Sequence, residues 1–521
     1  IPALTAELER GRVATPLVLK ALGATGDSQA LVPVLGALAS KDAAIRLAAM
    51  EALRPLLGSD ARAGDVLLEH LTDDDLEIRV LAAEYLGVLG VGSATGKLTA
   101  LTAPGNPIRL RHAAIDALGE VGRAHHLPAG GASDAIRALV DVLREGPAEL
   151  HASAATSLSY VASSAALPPL IVLARSDRGP TRYEIVRAIG ATLRAQPGPP
   201  DPAARQLLRA LVDDASVKVS LAAIAGLAAA RSLDDAPLFR SLVDQAATDR
   251  RRAAAWALGE LHDAGSIDTL AAALSSKDDR LAGDAAWALG EILAGRGPDG
   301  KPPVPMPGDP RAGVIVDRWL HLLQRGGWAA AINSAAGLAR LLWALPAPAR
   351  AELLTATRRD ALLARSFHKS RLVRINLALA YAALGDDAAV KQLAQLVKDD
   401  PSSHVRIAAA RALQRIGPQT TATLQSAIHD HDRDHEPDPA VAEAARTPPG
   451  PLPPRSEWRT FYVVDPSASD ARVRQEPYFV HTADDLIWAS YTDARGELTT
   501  EHIPAETARD SISPASRESE Y

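Results

Sequence analysis

The feature that most limits what this chain can fold into is a string that returns every 31 to 33 residues. IRLAAMEALRPLLG begins at Ile45, IRVLAAEYLGVLG at Ile78 and LRHAAIDALGEVG at Leu110. RRAAAWALGEL begins at Arg251, GDAAWALGEIL at Gly283 and VRIAAARALQRIG at Val405. The late apolar position of this string falls at Leu22, Leu53, Leu86, Leu118, Leu158, Ile189, Leu227, Leu258, Leu289, Leu338, Tyr381 and Leu413. A base period with a few longer gaps means one structural unit with insertions, and about twelve units fit between residues 1 and 428. One such unit cannot bury its own apolar face, so units must stack.

Each unit reads as two helices. The first is short and Leu-rich, as in ALVPVLGALAS from Ala30, and the second is Ala-rich. Apolar residues make up 47% of the chain but aromatic residues only 4%, which suits close-packed helices better than a sheet sandwich. Gly58, Gly90, Gly122 and Gly417 stand where a glycine would stop the second helix. In the polar turn between the two helices an acid precedes a base: Asp42 and Arg46, Asp75 and Arg79, Asp214 and Lys218, Asp400 and Arg406. We expect a structural ladder of alternating charge from these residues, with the acids satisfying helix starts.

The Asp-turn-Arg feature and the AAWALGE strings at Ala254–Glu260 and Ala285–Glu291 resemble HEAT repeats, closest to the short bacterial type first noted in phycobilisome lyases. The resemblance covers about four fifths of the chain. It implies an all-α fold, a right-handed α-solenoid of about twelve HEAT-type helix pairs, and a role as scaffold or adaptor.

The expected solenoid, residues 1–428, carries a Pro/Gly-rich insertion at 295–313 and smaller ones at 122–134 and 196–203. An acidic, His-rich and then Pro-rich linker is expected at 429–457. The strings RTFYVVD, PYFVHT, LIWASYT and ELTTEHI predict a small β element at 458–504, with DARG at 493–496 as a hairpin turn. Residues 505–521 read as an extended tail. Most of the net charge of −7 lies C-terminal to the repeats, so the solenoid itself is nearly neutral.

Three histidines, His429, His431 and His435, alternate with acids in HDHDRDH and are the candidate metal ligands. The string differs by one residue from the HxHxDH motif of metallo-β-lactamase-like hydrolases and follows a helix where that family needs a strand, so no catalysis is assigned to it. Trp319, Trp328 and Trp343 cluster around the longest insertion and are candidate partner-binding anchors. Trp256 and Trp287 sit one repeat apart and read as inter-repeat packing; His125–His126 receive no role. The chain has no Cys, which excludes disulfides and thiolate chemistry. No nucleophile elbow, phosphate loop, dinucleotide fingerprint or HExxH occurs, and the spacing pairs no Ser with a His and an Asp.

The reading is therefore a non-catalytic scaffold whose partners are other protein subunits, with no cofactor. The charge balance argues against nucleic acid, since no basic stripe recurs. No run of eighteen apolar residues exists to span a bilayer, although a place at the edge of a membrane complex fits. The preponderance of Arg over Lys suggests a GC-rich bacterial source. The start at Ile1 suggests a processed or missing leader, so a periplasmic or membrane-peripheral site is favoured over the cytoplasm. The alternatives are a lyase-like tetrapyrrole enzyme or chaperone, and a HEAT-like nucleic-acid binder.

Overall fold

The computed structural model describes the whole chain except residues 11–13, 58–60, 125–128, 162, 180, 197, 295–308, 436, 447–458, 463, 466–470, 473–476, 482–486, 492–496, 501–511 and 515–521. Most of the long insertion, the Pro-rich linker, the DARG turn, His125–His126 and most of the tail thus lie outside the described residues. The chain divides into two compact units, Ile1–Arg231 and Ser232–Tyr521.

The first unit holds seven helix pairs among the described residues: α1 (Pro2–Arg10) and α2 (Thr15–Ala24), α3 (Leu31–Ala37) and α4 (Ala43–Leu53), α5 (Ala61–His70) and α6 (Leu76–Val88), α7 (Thr95–Leu101) and α8 (Ile108–Arg123), α9 (Ala129–Glu145) and α10 (Ala148–Val161), α11 (Leu167–Ser176) and α12 (Thr181–Ala195), α13 (Pro202–Leu211) and α14 (Val217–Ala229). The second holds six: α15 (Ala236–Gln245) and α16 (Thr248–Glu260), α17 (Ile267–Ala273) and α18 (Asp279–Ala294), α19 (Pro310–Arg325) and α20 (Trp328–Ala344), α22 (Ala356–Leu363) and α23 (Arg371–Leu384), α24 (Asp387–Asp399) and α25 (Ser403–Ile416), α26 (Thr421–Asp434) and α27 (Pro439–Arg446); an extra short helix, α21 (Ala347–Leu353), precedes α22.

In each unit the second helices pack on one another in series, α2 through α14 and α16 through α27, while the first helices form a row along one side. Sequence explains the spacing. A Cβ added to Gly87 would lie 2.7 Å from the Ala117 Cα, and one on Gly259 would lie 2.8 Å from the Ala288 Cα. Gly23 against Ala52, Gly119 against Ser157 and Gly190 against Gly226 repeat this approach. Backbone thus meets backbone along the second-helix layer, and the Ala faces exist to permit it. Leu22, Leu53, Leu86, Leu118, Leu158, Leu227, Leu258, Leu289 and Leu413 are fully buried behind that contact.

Two expectations change here. The repeat pattern continues to Arg446: residues 429–434 complete α26, and α27 packs on α25. The HDHDRD string looked like linker because its acids and bases are dense, but they pair on the helix surface, with Arg433 bonded to Asp430 at 3.2 Å and to Asp434 at 3.0 Å. Gly122 does not end α8, which runs on to Arg123 with Val161 packed against the glycine. Gly90 and Gly417 do follow helix ends, with φ of +63° and +133°, where a side chain would be strained.

Short antiparallel strands follow the helices. β1 (Arg459–Tyr462) pairs with β6 (Glu497–Thr500), and β2 (Val464–Asp465) pairs with β3 (Ala471–Arg472). β4 (Pro477–His481) lies between β5 (Ile487–Tyr491) and β7 (Ile512–Pro514). β5 pairs with β4 and β6 with β1, and the DARG stretch at 493–496 lies outside the described residues. β7 falls in the stretch read as tail. The backbone of β5 runs beside α20 and approaches α18 and α23. α20 itself is buried without interruption from Ala329 to Ala339.

Candidate interaction surface

The turns carry the ladder, but its rungs differ from the sequence pairing. Asp42 and Asp75 cap their own helices, accepting from the Ala44 and Glu77 amides at 2.9 and 2.8 Å. Arg46 does not turn back to Asp42. It donates to the Ser40 carbonyl at 3.0 Å and, through two nitrogens at 2.8 Å each, to Asp73 in the next turn. Arg182 bridges the Ala174 carbonyl and Asp214 in the same way, at 2.9 and 2.5 Å. Arg374 bridges the His368 carbonyl and Asp400, and Arg406 bridges the Asp400 carbonyl and Asp438.

Each arginine therefore satisfies a carbonyl at or just past the end of its own first helix and ties it to the following turn. Asp214 accepts from Arg182 and caps Ser216, whereas Lys218 is exposed and has no ion pair among the described residues. Arg79 has its Nε buried without an acceptor. The Arg46 guanidinium holds Asp73 below the usual carboxylate range, against the opposing effect of burial.

Side chains of the first-helix row add a second tie. His70 contacts the Leu38 carbonyl at 3.1 Å, Lys97 donates to Leu68 at 3.0 Å, and Arg318 donates to Ala271. His431 occupies the same place, buried and 2.7 Å from the Lys398 carbonyl through Nδ1.

The outward face of the second-helix layer carries the more varied side chains. Although Ala336 and Leu379 are buried at that place, a side chain two residues before most of the buried marker residues is at least partly exposed. In the first unit these are Glu51, Glu84, Asp116, Thr156 and Arg187, and the first three are exposed. Glu77 and Arg109 pair at 2.7 Å beside them, and Arg187 donates to Thr156 at 2.6 Å. In the second unit the same position holds Trp256 and Trp287. Their rings are half-buried, 6.5 Å apart between centroids and inclined by 13°. Arg252 and Asp284 pair at 2.8 Å on one side of them, and Arg340 pairs with the buried Glu291 on the other. Burial raises the Asp284 carboxyl to about 6 despite the guanidinium.

HEAT repeats as a family match residues 167–259 and 359–445. The chain contains HEAT repeats. Importin beta in a polyethylene glycol condition superposes with a TM-score of 0.52 at 15% identity, over 85% of this chain and 69% of that one. Kap121p bound to Pho4p gives 0.51 at 13% identity, over 85% and 52%. At such identities the likeness shows the fold alone: an α-solenoid. The complex of CpcE and CpcF of phycocyanin lyase from Nostoc sp. PCC7120 aligns at 21% identity over 44% of this chain and 87% of that one, but its TM-score of 0.28 carries no argument. No curated protein matches the sequence.

The histidine candidates do not converge. His431 is buried and engaged, and the His435 ring stacks on it at 4.8 Å, while His429 lies two positions along α26 on another face. Among the described residues no group of three ligand-type side chains could hold a metal ion. Trp319 is fully buried over Gly337, so it is core and not an anchor. Trp328, 37% exposed at the start of α20, and the half-buried Trp343 do reach the surface.

One constellation escaped the sequence. His112 Nε2 lies 3.0 Å from Ser153 Oγ, and its Nδ1 lies 3.1 Å from Asp116, which raises the His112 pKa. The signal was there: His112 and Asp116 stand i,i+4 on α8, and Ser153 follows on the next second helix, α10. The order is that of a hydrolytic triad, but Ser153 sits more than a turn inside α10, where the helix consumes the backbone amides an oxyanion would need. Half-exposed side chains complete an open site. The arrangement links two helices.

Proposed function

We propose that this protein is a non-catalytic scaffold that holds other proteins on the outward face of its second-helix layer, as an accessory or structural subunit of a larger bacterial assembly. The fold supports a protein-interaction role, and Kap121p, which shares it, has been seen bound to Pho4p and to the SUMO protease Ulp1p. The observation that carries the reading is the Trp256–Trp287 pair. Two large rings held half-open at equivalent sites, where the first unit has Glu, Asp, Thr and Arg, are what a docking surface uses and a solvated face does not.

The ladder arginines are committed to carbonyls and carboxylates, which favours a protein partner over a nucleic acid. No helix among the described residues is long and apolar enough to cross a membrane. Affinity isolation of the tagged chain from native membranes and from cytosol, followed by mass spectrometry, tests the proposal. One stoichiometric set of co-purifying subunits is expected. Recovery of the chain alone, carrying a bound chromophore, overturns it.

A further inference from the structure

We propose that the outward face of α20 and α23 is a seat for the chain's own C-terminal β segment, with β5 laid across it as a strap. The seat stands whether or not the scaffold reading does.

The repeat supplies the first observation. A second helix of a stack packs on the second helix before it, on the one after it and on its own first helix, which leaves a fourth side to water. In eight of the twelve repeats that side carries a varied residue, from Glu51 to Arg411. α20 and α23 depart from this pattern. Ala336 and Leu379 stand at the same place and are only 0% and 5% exposed. Burial is unbroken from Ala329 to Ala339 in α20 and from Leu372 to Ala383 in α23.

The second observation is what covers them. α18, α23 and α19 account for three sides of α20, and β5 runs along the fourth. The helices beside β5 are α18, α20 and α23, all of them second helices. The apolar stretch stops where β5 stops. Along the layer, Trp287 on α18 is half-buried and Arg411 on α25 is exposed.

The strap also does what the stack cannot do for itself. Repeats of a solenoid touch only their nearest neighbours. α18 and α23 are two repeats apart, and β5 reaches both. The strand arrives as part of a sheet, its backbone paired with β4 from Pro477–Tyr491 to His481–Ile487. Ala336 and Leu379 beneath it ask for no hydrogen bond, so a charge placed there is the change that unseats it.

A recognition site for a specific protease, placed between Pro453 and Pro454, allows the folded full chain to be cut ahead of β1. The C-terminal fragment is expected to stay with the repeats on size-exclusion chromatography. Separation of the wild-type fragment overturns the proposal. Ala336→Glu and Leu379→Glu are each expected to release the fragment, and Lys20→Glu, at the same repeat position on α2, to retain it. A fragment held by the folded Glu variants as firmly as by wild type, or lost from Lys20→Glu, also overturns it. Should Ala336→Glu and Leu379→Glu fail to fold, Ala336→Cys decides in the uncut chain, which has no other Cys. Its thiol is expected to react with a maleimide about a hundredfold more slowly than that of Glu51→Cys at the exposed equivalent position. Equal rates mean that nothing covers α20.

Discussion

Gly87→Ala is the sharpest probe of the stack. Alanine is the better helix former by about 1 kcal/mol, so on propensity alone the change stabilises α6. The geometry reverses the sign. The new Cβ would stand 2.7 Å from the Ala117 Cα and 3.0 Å from the Ala117 Cβ. Carbon atoms rest at about 3.5–4.0 Å, so α6 and α8 must separate by about 1 Å. Neither contact is the end of a flexible side chain that could swing away. Overpacking of this kind costs about 1–3 kcal/mol, leaving a net loss of up to about 2 kcal/mol.

Gly36→Ala is the control, because α3 exposes that position and nothing lies within 4 Å of the added Cβ. It should gain up to about 1 kcal/mol. Urea unfolding of both variants, with hydrogen exchange of α6 and α8, measures the difference. A Gly87→Ala protein stabilised as much as Gly36→Ala would refute the close approach of second helices on which the stack is built.

Three other outcomes follow from the turns and the Ser–His–Asp arrangement. Asp400→Asn strips the buried Arg374 of its charge partner and should cost about 3–5 kcal/mol in urea unfolding, whereas Arg374→Met/Asp400→Leu should recover most of that loss. The Asp73 pKa is depressed in the fold by Arg46, so its contribution to stability is full above the unfolded value, near 4, and is lost as pH falls through the lower folded value. Asp73→Asn should flatten that acid limb of a plot of urea midpoint against pH, and an unchanged slope would show that the pair does not matter. Ser153 should not react with a fluorophosphonate probe. Stoichiometric labelling that Ser153→Ala abolishes would contradict the non-catalytic reading.

The fold was legible because packing repeats. Ala and Gly at fixed offsets from a buried Leu recur whenever backbone must meet backbone, and a period of 31 to 33 residues exposes them. Long-range pairing was not legible in the same way. Asp42 and Arg46 are neighbours in the string, yet the arginine spans to Asp73, because its first duty is the carbonyl end of α3 and its remaining nitrogens then face the next turn. The end of the array was misplaced for a related reason. A polar helix such as α26 hides its few buried positions, Leu424, Ala427 and His431, among surface charges, and only the carbonyl at Lys398 reveals that His431 belongs to the stack.

The candidate site is written where the repeat imposes nothing. Two residues before the marker, eight of the twelve repeats read Glu51, Glu84, Asp116, Thr156, Arg187, Trp256, Trp287 and Arg411, each between two buried residues, whereas Ala336 in α20 and Leu379 in α23 are themselves buried at that place. Stability tolerates any side chain that points out of the layer, so the identity there is free to serve a partner. By that measure Trp256 and Trp287 stand at the variable position of α16 and α18, and Trp319, however large, does not, because its ring fills the space over Gly337 that lets α19 and α20 close. A tryptophan informs about binding only once the repeat has shown which way it points.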